Sequence, residues 1–281
     1  MKLSVKGVVF EQHSLLCISF LLKRMRKEIH KKYQTDSSIC EFVDGLPQRF
    51  EQEGTLLYDE RNVIRRFEVN GTVLVVKRFK RPNFFQRIAY TFFRSSKAFR
   101  AYHNGEELIR RGISTPFPIA YLETYSMGLI EYAYYVCGED NAPPIADLFN
   151  RVEEFDRPLA KAFAHFAAHL HQLGILHHDL NSTNTLFHPL PSSPDGYTFS
   201  VIDINRMDFM EGLPPLKECL ENLTRFTGRM DLFTYVAKCY SEVMADSFGL
   251  QEDELLRLAV RQKENHDARW KRRKNFLKRF K

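Results

Sequence analysis

Two runs of β-branched and aromatic residues, Val63-Ile-Arg-Arg-Phe-Glu-Val69 and Thr72-Val-Leu-Val-Val-Lys-Arg-Phe79, flank the dipeptide Asn70-Gly71. Such runs suit a pleated, half-buried strand, and Asn-Gly supplies the two positive-φ positions of a tight hairpin turn. The pattern predicts a hairpin. Thr55-Leu-Leu-Tyr58, followed by the polar Asp59-Glu60-Arg61-Asn62, adds a strand and turn before it, making a three-strand meander. Residues 23–32 read as a basic lead-in to these strands.

Further along, 84–111 lacks proline and carries helix formers up to Gly112, which predicts one or two helices with a glycine stop. Pro116 and Pro118 mark a break, and Ile119–Glu123 and Met127–Tyr132 read as short strands before a loop through Pro143-Pro144. The period then changes. Leu159, Phe163, Phe166, Leu170 and Leu173 recur at three and four residues, so 155–173 reads as a helix with a wide apolar face, closed by Gly174. Short strands follow near Thr185–Phe187 and Phe199–Ile202, and 215–247 and 252–280 read as helical. The chain is thus β-rich first and helical second, with a boundary near 133–145.

A chain of 281 residues with 44% hydrophobic and 27% charged residues is a soluble globular type of one large or two modest domains, which excludes a disordered or fibrous class. The net charge of +6 is unevenly placed. Residues 255–281 hold eleven Lys/Arg against two Asp/Glu, and residues 77–111 hold ten against two, so the remainder is acidic. That distribution favours local contact with phosphates or an anionic membrane over a general nucleic-acid coat. The five cysteines lie far apart without a CxxC pair, which favours reduced thiols in a cytosolic protein. The apolar stretch Leu15–Leu22 is too short to span a bilayer, lacks a small-residue cleavage site, and leaves Met25 as an alternative start.

The chemistry concentrates in His177-His-Asp-Leu-Asn-Ser-Thr-Asn-Thr-Leu-Phe187, between the predicted helix and a strand. Asp179 and Asn184 share this loop, and a later apolar strand ends in Ile202-Asp203. Asn184 and Asp203 offer the hard oxygens that Mg²⁺ takes while leaving other positions to water and phosphate. Asp179 is placed to accept the proton of an attacking hydroxyl. A zinc reading of His165, His169, His171, His177 and His178 fails on pattern, with no nearby cysteine and no H-E-x-x-H.

His177-x-Asp179-(x4)-Asn184 followed by Ile202-Asp203 resembles the catalytic and metal-binding loops of the protein-kinase-like superfamily. Val75-Val76-Lys77 resembles its phosphate-contacting strand. Met127-Gly-Leu-Ile-Glu131-Tyr132 resembles the hinge that pairs with adenine through backbone groups, which would involve Glu131 and Ala133. Arg61-Asn62, Val76-Lys77-Arg78-Phe79-Lys80 and Gly112-Ile-Ser-Thr-Pro116-x-Pro118-Ile-Ala-Tyr121 are similar to the lipopolysaccharide kinase (Kdo/WaaP-type) family. The resemblance implies an α+β, bilobal protein-kinase-like fold with a small antiparallel β-rich N-lobe and a mainly helical C-lobe. On that basis 1–40 is a basic lead-in, 41–133 the N-lobe, 134–250 the C-lobe and 251–281 a basic helix or tail. It also implies ATP and Mg²⁺ as cofactors, a sugar hydroxyl of a glycolipid as acceptor, and a cytoplasmic enzyme peripheral to the inner membrane. Asp179 is then the base, Asn184 and Asp203 the metal ligands, and Lys77 and Arg61 nucleotide contacts; the helix acid paired to Lys77 is one of Glu106 and Glu107, the only acids in 77–111, with Glu107 chosen.

The sequence departs from the wider kinase pattern in four places. A Gly-rich loop is missing and the Tyr58–Asn62 turn stands there instead; Asn205 replaces the glycine after the metal Asp; Asn181 replaces a γ-phosphate lysine; and His178 replaces the Arg of His-Arg-Asp. A pseudokinase scaffold at a membrane, and a small-molecule kinase resembling aminoglycoside or choline phosphotransferases, stay open on these grounds.

Overall fold

The computed structural model describes residues 24–149 and 153–278. The Leu15–Leu22 stretch lies outside them. The described chain clusters into two compact units, one of residues up to 103 with 117–139, the other of 104–116 with 140 onward.

The first unit is built on a six-stranded antiparallel sheet. Its strands are β1 (Met25–Ile29), β2 (Thr55–Asp59), β3 (Val63–Val69), β4 (Thr72–Arg78), β5 (Pro118–Ser126) and β6 (Leu129–Gly138), in the order β1-β5-β6-β4-β3-β2. The predicted hairpin is β3–β4, with Asn70 at φ 47° and Gly71 at φ 76°, the conformation that Asn-Gly adopts most readily. Helix α1 (Ser37–Arg49) packs on the sheet. Ile39, Phe42, Val43 and Leu46, spaced three and four apart, meet Phe67, Leu74, Val76, Leu122 and Val136 in one core. Asp36 caps α1 by accepting from the Ile39 N–H. Helices α2 (Phe84–Phe92) and α3 (Lys97–Arg110) follow β4, and α3 runs across the unit boundary at 103/104.

Two readings are corrected here. The stretch 23–32 is not a plain lead-in, because Met25–Ile29 pairs residue for residue with Thr124–Ala120 as an edge strand. Its Arg26, Lys27 and Glu28 suit a sheet edge, where charge discourages pairing with other chains. Second, β6 continues ten residues to Gly138 rather than ending at Tyr132. Tyr134–Cys137 are all buried, so they show none of the alternation that marks a half-exposed strand.

The second unit is mainly helical: α4 (Ala146–Phe149), α5 (Arg157–Gln172), α6 (Leu216–Leu223), α7 (Met230–Met244) and α8 (Glu252–Lys278). Asp156 caps α5, and Pro158 sits in its first turn where no N–H is needed. The apolar face of α5 packs against α7, and its Phe163 stacks on Phe226, in the segment between α6 and α7, at 4.0 Å between ring centres. Two small ribbons complete the unit, β7 (Ile175–His177) with β10 (Met207–Phe209) and β8 (Thr185–Pro189) with β9 (Tyr197–Val201). Among the described residues no helix is long and apolar enough to cross a membrane, and Cys40, Cys137, Cys219 and Cys239 are free thiols.

Candidate active site

The site grows from the way α5 stops. Gly174 has φ +71°, and a Cβ there would stand 2.3 Å from the carbonyl oxygen of Met210, so only glycine lets the chain turn this close to β10. The Met210 N–H donates to the Gly174 carbonyl at 2.8 Å. Arg111 reaches the same point, donating to the carbonyls of Leu173 and Met210. The chain emerges into β7 and delivers His177, which is fully buried.

His177 ties three segments together. Its Nε2 lies 3.0 Å from the Ile202 carbonyl, and its Nδ1 accepts the Asp179 N–H at 3.1 Å. A carbonyl can only accept and an amide N–H can only donate, so the ring is the neutral Nε2–H tautomer. Burial pushes its pKa below the ordinary histidine value, consistent with that neutral form. The His177 carbonyl accepts from Asn222 Nδ2 at 2.6 Å. Asn222 Oδ1 accepts from His171 Nε2 at 3.0 Å, and Tyr240 donates to His171 Nδ1 at 2.8 Å. This buried chain of donors joins α5, α6 and α7 to the loop. Fully buried His171 is held neutral, its pKa lowered to about 4 by loss of solvent.

The loop after His177 folds on its own polar side chains. Asn181 Oδ1 accepts from the N–H groups of Thr183 and Asn184 at 2.9 and 3.0 Å, closing a tight turn. Asn181 Nδ2 stands 3.3 Å from Asp179 Oδ1, and Arg206 Nη2 stands 3.7 Å from Asp179 Oδ2. Asn184 donates its Nδ2 to the Asp179 carbonyl at 3.0 Å, which directs its Oδ1 away from that bond. The Asn184 carbonyl accepts the Ile202 N–H at 3.0 Å. Ile202 is therefore gripped through its N–H by Asn184 and through its carbonyl by His177.

Asp203 comes next, in the left-handed region at φ 55°, which a non-glycine residue adopts at some energetic cost. Asn205 Nδ2 donates to Asp203 Oδ1 at 2.7 Å. The residue that replaces glycine thus braces the carboxylate directly. Backbone hydrogen bonds at Ile202 thus set the segment that carries Asp203 against the loop that carries Asp179 and Asn184. Amide and carboxylate oxygens form a hard donor set, which fits a Mg²⁺-type cation.

The other sequence-derived residues sit as follows. Lys77 lies on β4 in the first unit, and Arg61 is exposed in the turn between β2 and β3. Glu107, in the second unit, binds Arg110 and Arg111 at 2.5 to 2.6 Å, and the Arg110 hydrogen bonds above all hold its pKa near 2. Glu131 pairs with Arg81 at 2.7 Å. The hinge assignment of Glu131 and Ala133 is corrected. Met127-Gly128 is the tip of the β5–β6 hairpin, and the Ala133 carbonyl is spent on the Phe79 N–H within the sheet. The chain leaves the first unit only after Glu139. Of the histidines weighed for zinc, His165 meets Asp195 and His178 meets Asp208, while His171 and His177 are engaged as above. Sequence reading missed Asn222 and Arg206 as partners of this loop. The polar Asn222 within the apolar spacing of α6 is the one signal that could have flagged it.

Comparison with known proteins adds to this geometry. A family profile described as the lipopolysaccharide kinase (Kdo/WaaP) family matches residues 55–233. The chain is similar in structure to WaaP solved in complex with acyl carrier protein, at TM-score 0.54 and 18% identity, covering 85% of this chain and 98% of that one. It is also matched by the Rio2 kinase–ADP/Mg²⁺–phosphoaspartate complex from Chaetomium thermophilum, at TM-score 0.42 and 16% identity, over 93% and 87% of the two chains. No curated protein sequence matches it.

Proposed function

The chain belongs to the lipopolysaccharide kinase (Kdo/WaaP) family, a kinase with a protein-kinase-like fold, and from that premise we propose that it transfers the γ-phosphoryl group of ATP to a sugar hydroxyl of a lipopolysaccharide core or related glycolipid. The observation that carries this reading is the pinning of Ile202 by His177 and Asn184, which sets the Asp203 segment against the loop of Asp179 and Asn184.

Asp179 accepts the proton of the attacking hydroxyl, in a carboxylate held by Asn181 and approached by Arg206. Asn184 Oδ1 and the Asp203 carboxylate would hold Mg²⁺, which when bound would neutralise charge on the phosphates. Lys77 contacts the nucleotide phosphates, and Arg61, in the turn that replaces a Gly-rich loop, adds charge to them. Phosphoryl transfer asks little covalent chemistry of a protein, so positioning and charge account for most of the rate.

The enzyme works in the cytoplasm at the inner face of the membrane. The basic end of α8, with Trp270 and Phe276 more than half exposed among its cations, is one contact for that anionic surface. Nucleic acid is not a partner in this reading.

The test is transfer from γ-labelled ATP by the purified chain to extracted glycolipid, read by label and by mass. Asp179→Asn should lower the rate by about 10²–10⁴ with the fold intact. Transfer by Asp179→Asn at the parent rate would remove the base assignment.

A further inference from the structure

Helix α2, Phe84–Phe92, is built inside out. At 100° per residue, Phe84, Phe85, Ile88, Ala89, Phe92 and the following Phe93 fall on one half of its circumference, and Arg87, Tyr90 and Thr91 on the other. The polar half faces the protein. Arg87 donates to the carbonyls of Ile130, Ser126 and Leu129 at 2.7, 2.9 and 3.3 Å. Thr91 Oγ1 accepts the Ile130 N–H at 3.0 Å. The apolar half faces solvent: Phe84, Phe85, Phe92 and Phe93 are 60%, 80%, 66% and 84% exposed, and no residue of the helix is buried. Met127, at the tip of the hairpin that Arg87 grips, is 83% exposed.

This exposure is not fraying. Asn83 and Gln86 form a reciprocal capping box at the helix start, and the Phe93 and Arg94 N–H groups close its end on the Ala89 carbonyl. The rings sit in two edge-to-face pairs, Phe84 with Phe85 at 5.8 Å and Phe92 with Phe93 at 6.4 Å, one pair at each end of the helix. The chain that carries the helix has charge of one sign, with no Asp or Glu from Lys77 to Gly105, and the nearby Glu131 is paired with Arg81. Lys80 and Arg94 flank the helix and are exposed.

We infer that α2 is an interfacial anchor that lies flat on an anionic lipid surface, bedding its phenylalanines and Met127 among the acyl chains while Lys80 and Arg94 meet the headgroup phosphates. A helix about 14 Å long with aromatic knobs at both ends and a cationic rim matches a surface that is apolar below and negative above. The four rings point outward in two separate edge-to-face pairs, which suit a fluid bilayer that needs no shaped counterpart. The choice of lipid over an acidic protein rests on the proposed glycolipid acceptor, which is itself held in a membrane. The anchor is distinct from the basic end of α8.

The experiment is co-sedimentation of the full chain, without ATP, with vesicles of phosphatidylcholine alone or mixed with phosphatidylglycerol. The parent should bind the mixed vesicles and largely ignore the neutral ones. Phe85→Ser/Phe93→Ser should weaken that binding about tenfold or more while its melting temperature stays at the parent value, since the lost rings are exposed. Lys80→Glu/Arg94→Glu should weaken binding to the mixed vesicles alone, and Arg272→Glu/Arg273→Glu in α8 should weaken it less than the phenylalanine pair. Failure of the parent to bind mixed vesicles, or equal binding by the phenylalanine variant, overturns the inference. So does a parent dimer that the phenylalanine variant dissolves, or capture of an acidic protein in place of lipid. Phosphate transfer to a soluble sugar acceptor, measured separately, isolates the kinase reading, because vesicle binding requires no catalysis.

Discussion

The fully buried imidazole of His177 and the carbonyl of Ile202, 25 positions apart in the chain, share a 3.0 Å hydrogen bond. The bond places Asp203, one residue on, beside the loop that carries Asp179 and Asn184. The same ring accepts the Asp179 N–H, so one buried side chain sets the backbone of both carboxylates. No proton needs to move through it.

Replacing His177 therefore strikes stability and catalysis together. His177→Leu keeps much of the volume but leaves the Ile202 carbonyl and the Asp179 N–H buried without partners, at about 2–4 kcal/mol in total. Urea unfolding should show a lower midpoint with an unchanged slope, and transfer should fall in parallel. An unchanged midpoint would mean that water or another group satisfies both atoms.

The neutral histidines make the fold sensitive to acid. His171 has a pKa of about 4 when folded, against about 6.5 in an unfolded chain, because burial disfavours its charged form. The unfolded state takes up the proton first. The contribution of His171 is thus complete above pH 6.5 and is lost as pH falls through the folded value, amounting to about 3 kcal/mol. His177 shifts in the same direction for the same reason. Unfolding free energies at pH 7.5 and 4.5 should differ strongly in the parent and less in His171→Gln, which has nothing to titrate there. Equal pH slopes in the two proteins would assign the acid sensitivity to carboxylates elsewhere.

Much of this was legible along the chain because it is local. Asn70-Gly71 declares its hairpin, Gly174 its helix stop, and His177 to Asn184 the loop, each within a window shorter than a dozen residues. What escaped is long-range or counter-patterned. Asn222 meets the loop from 45 positions away, with no cue beyond a polar residue on an apolar face. Met25–Ile29 becomes a strand only because Thr124–Ala120 offers an edge to pair with. Gly45 and Pro47 masked α1, although Ile39, Phe42, Val43 and Leu46 keep helical spacing. Glu131 was misplaced because a strand buried on both faces loses the alternation that marks its length.

Two glycines separate backbone strain from crowding. Gly174 and Gly249 share a positive φ, +71° and +66°, yet an added Cβ meets the Met210 carbonyl at 2.3 Å in the first case and nothing within 4 Å in the second. Gly249→Ala should cost about 1 kcal/mol, the left-handed penalty alone. Gly174→Ala should cost clearly more, because β10 has to move. Thermal melts of both variants measure the difference, and equal shifts would show that the Met210 segment yields freely.

Asn205 offers the sharpest test of how the metal site is held. Its Nδ2 donates to Asp203 Oδ1 at 2.7 Å, and Asp203 sustains φ 55° beside it. Removing the amide leaves that carboxylate oxygen without this brace and frees the backbone at 205. The oxygens of Asn184 and Asp203 then have to be ordered by the metal itself, which weakens its apparent affinity. Asn205→Gly should raise the Mg²⁺ concentration for half-maximal transfer several-fold, with a smaller change in the rate at saturating Mg²⁺, because Asp179 and its partners Asn181 and Arg206 stay in place. A Mg²⁺ titration of the initial rate decides it. A drop in the saturated rate at unchanged Mg²⁺ demand would instead assign Asn205 to the transfer step.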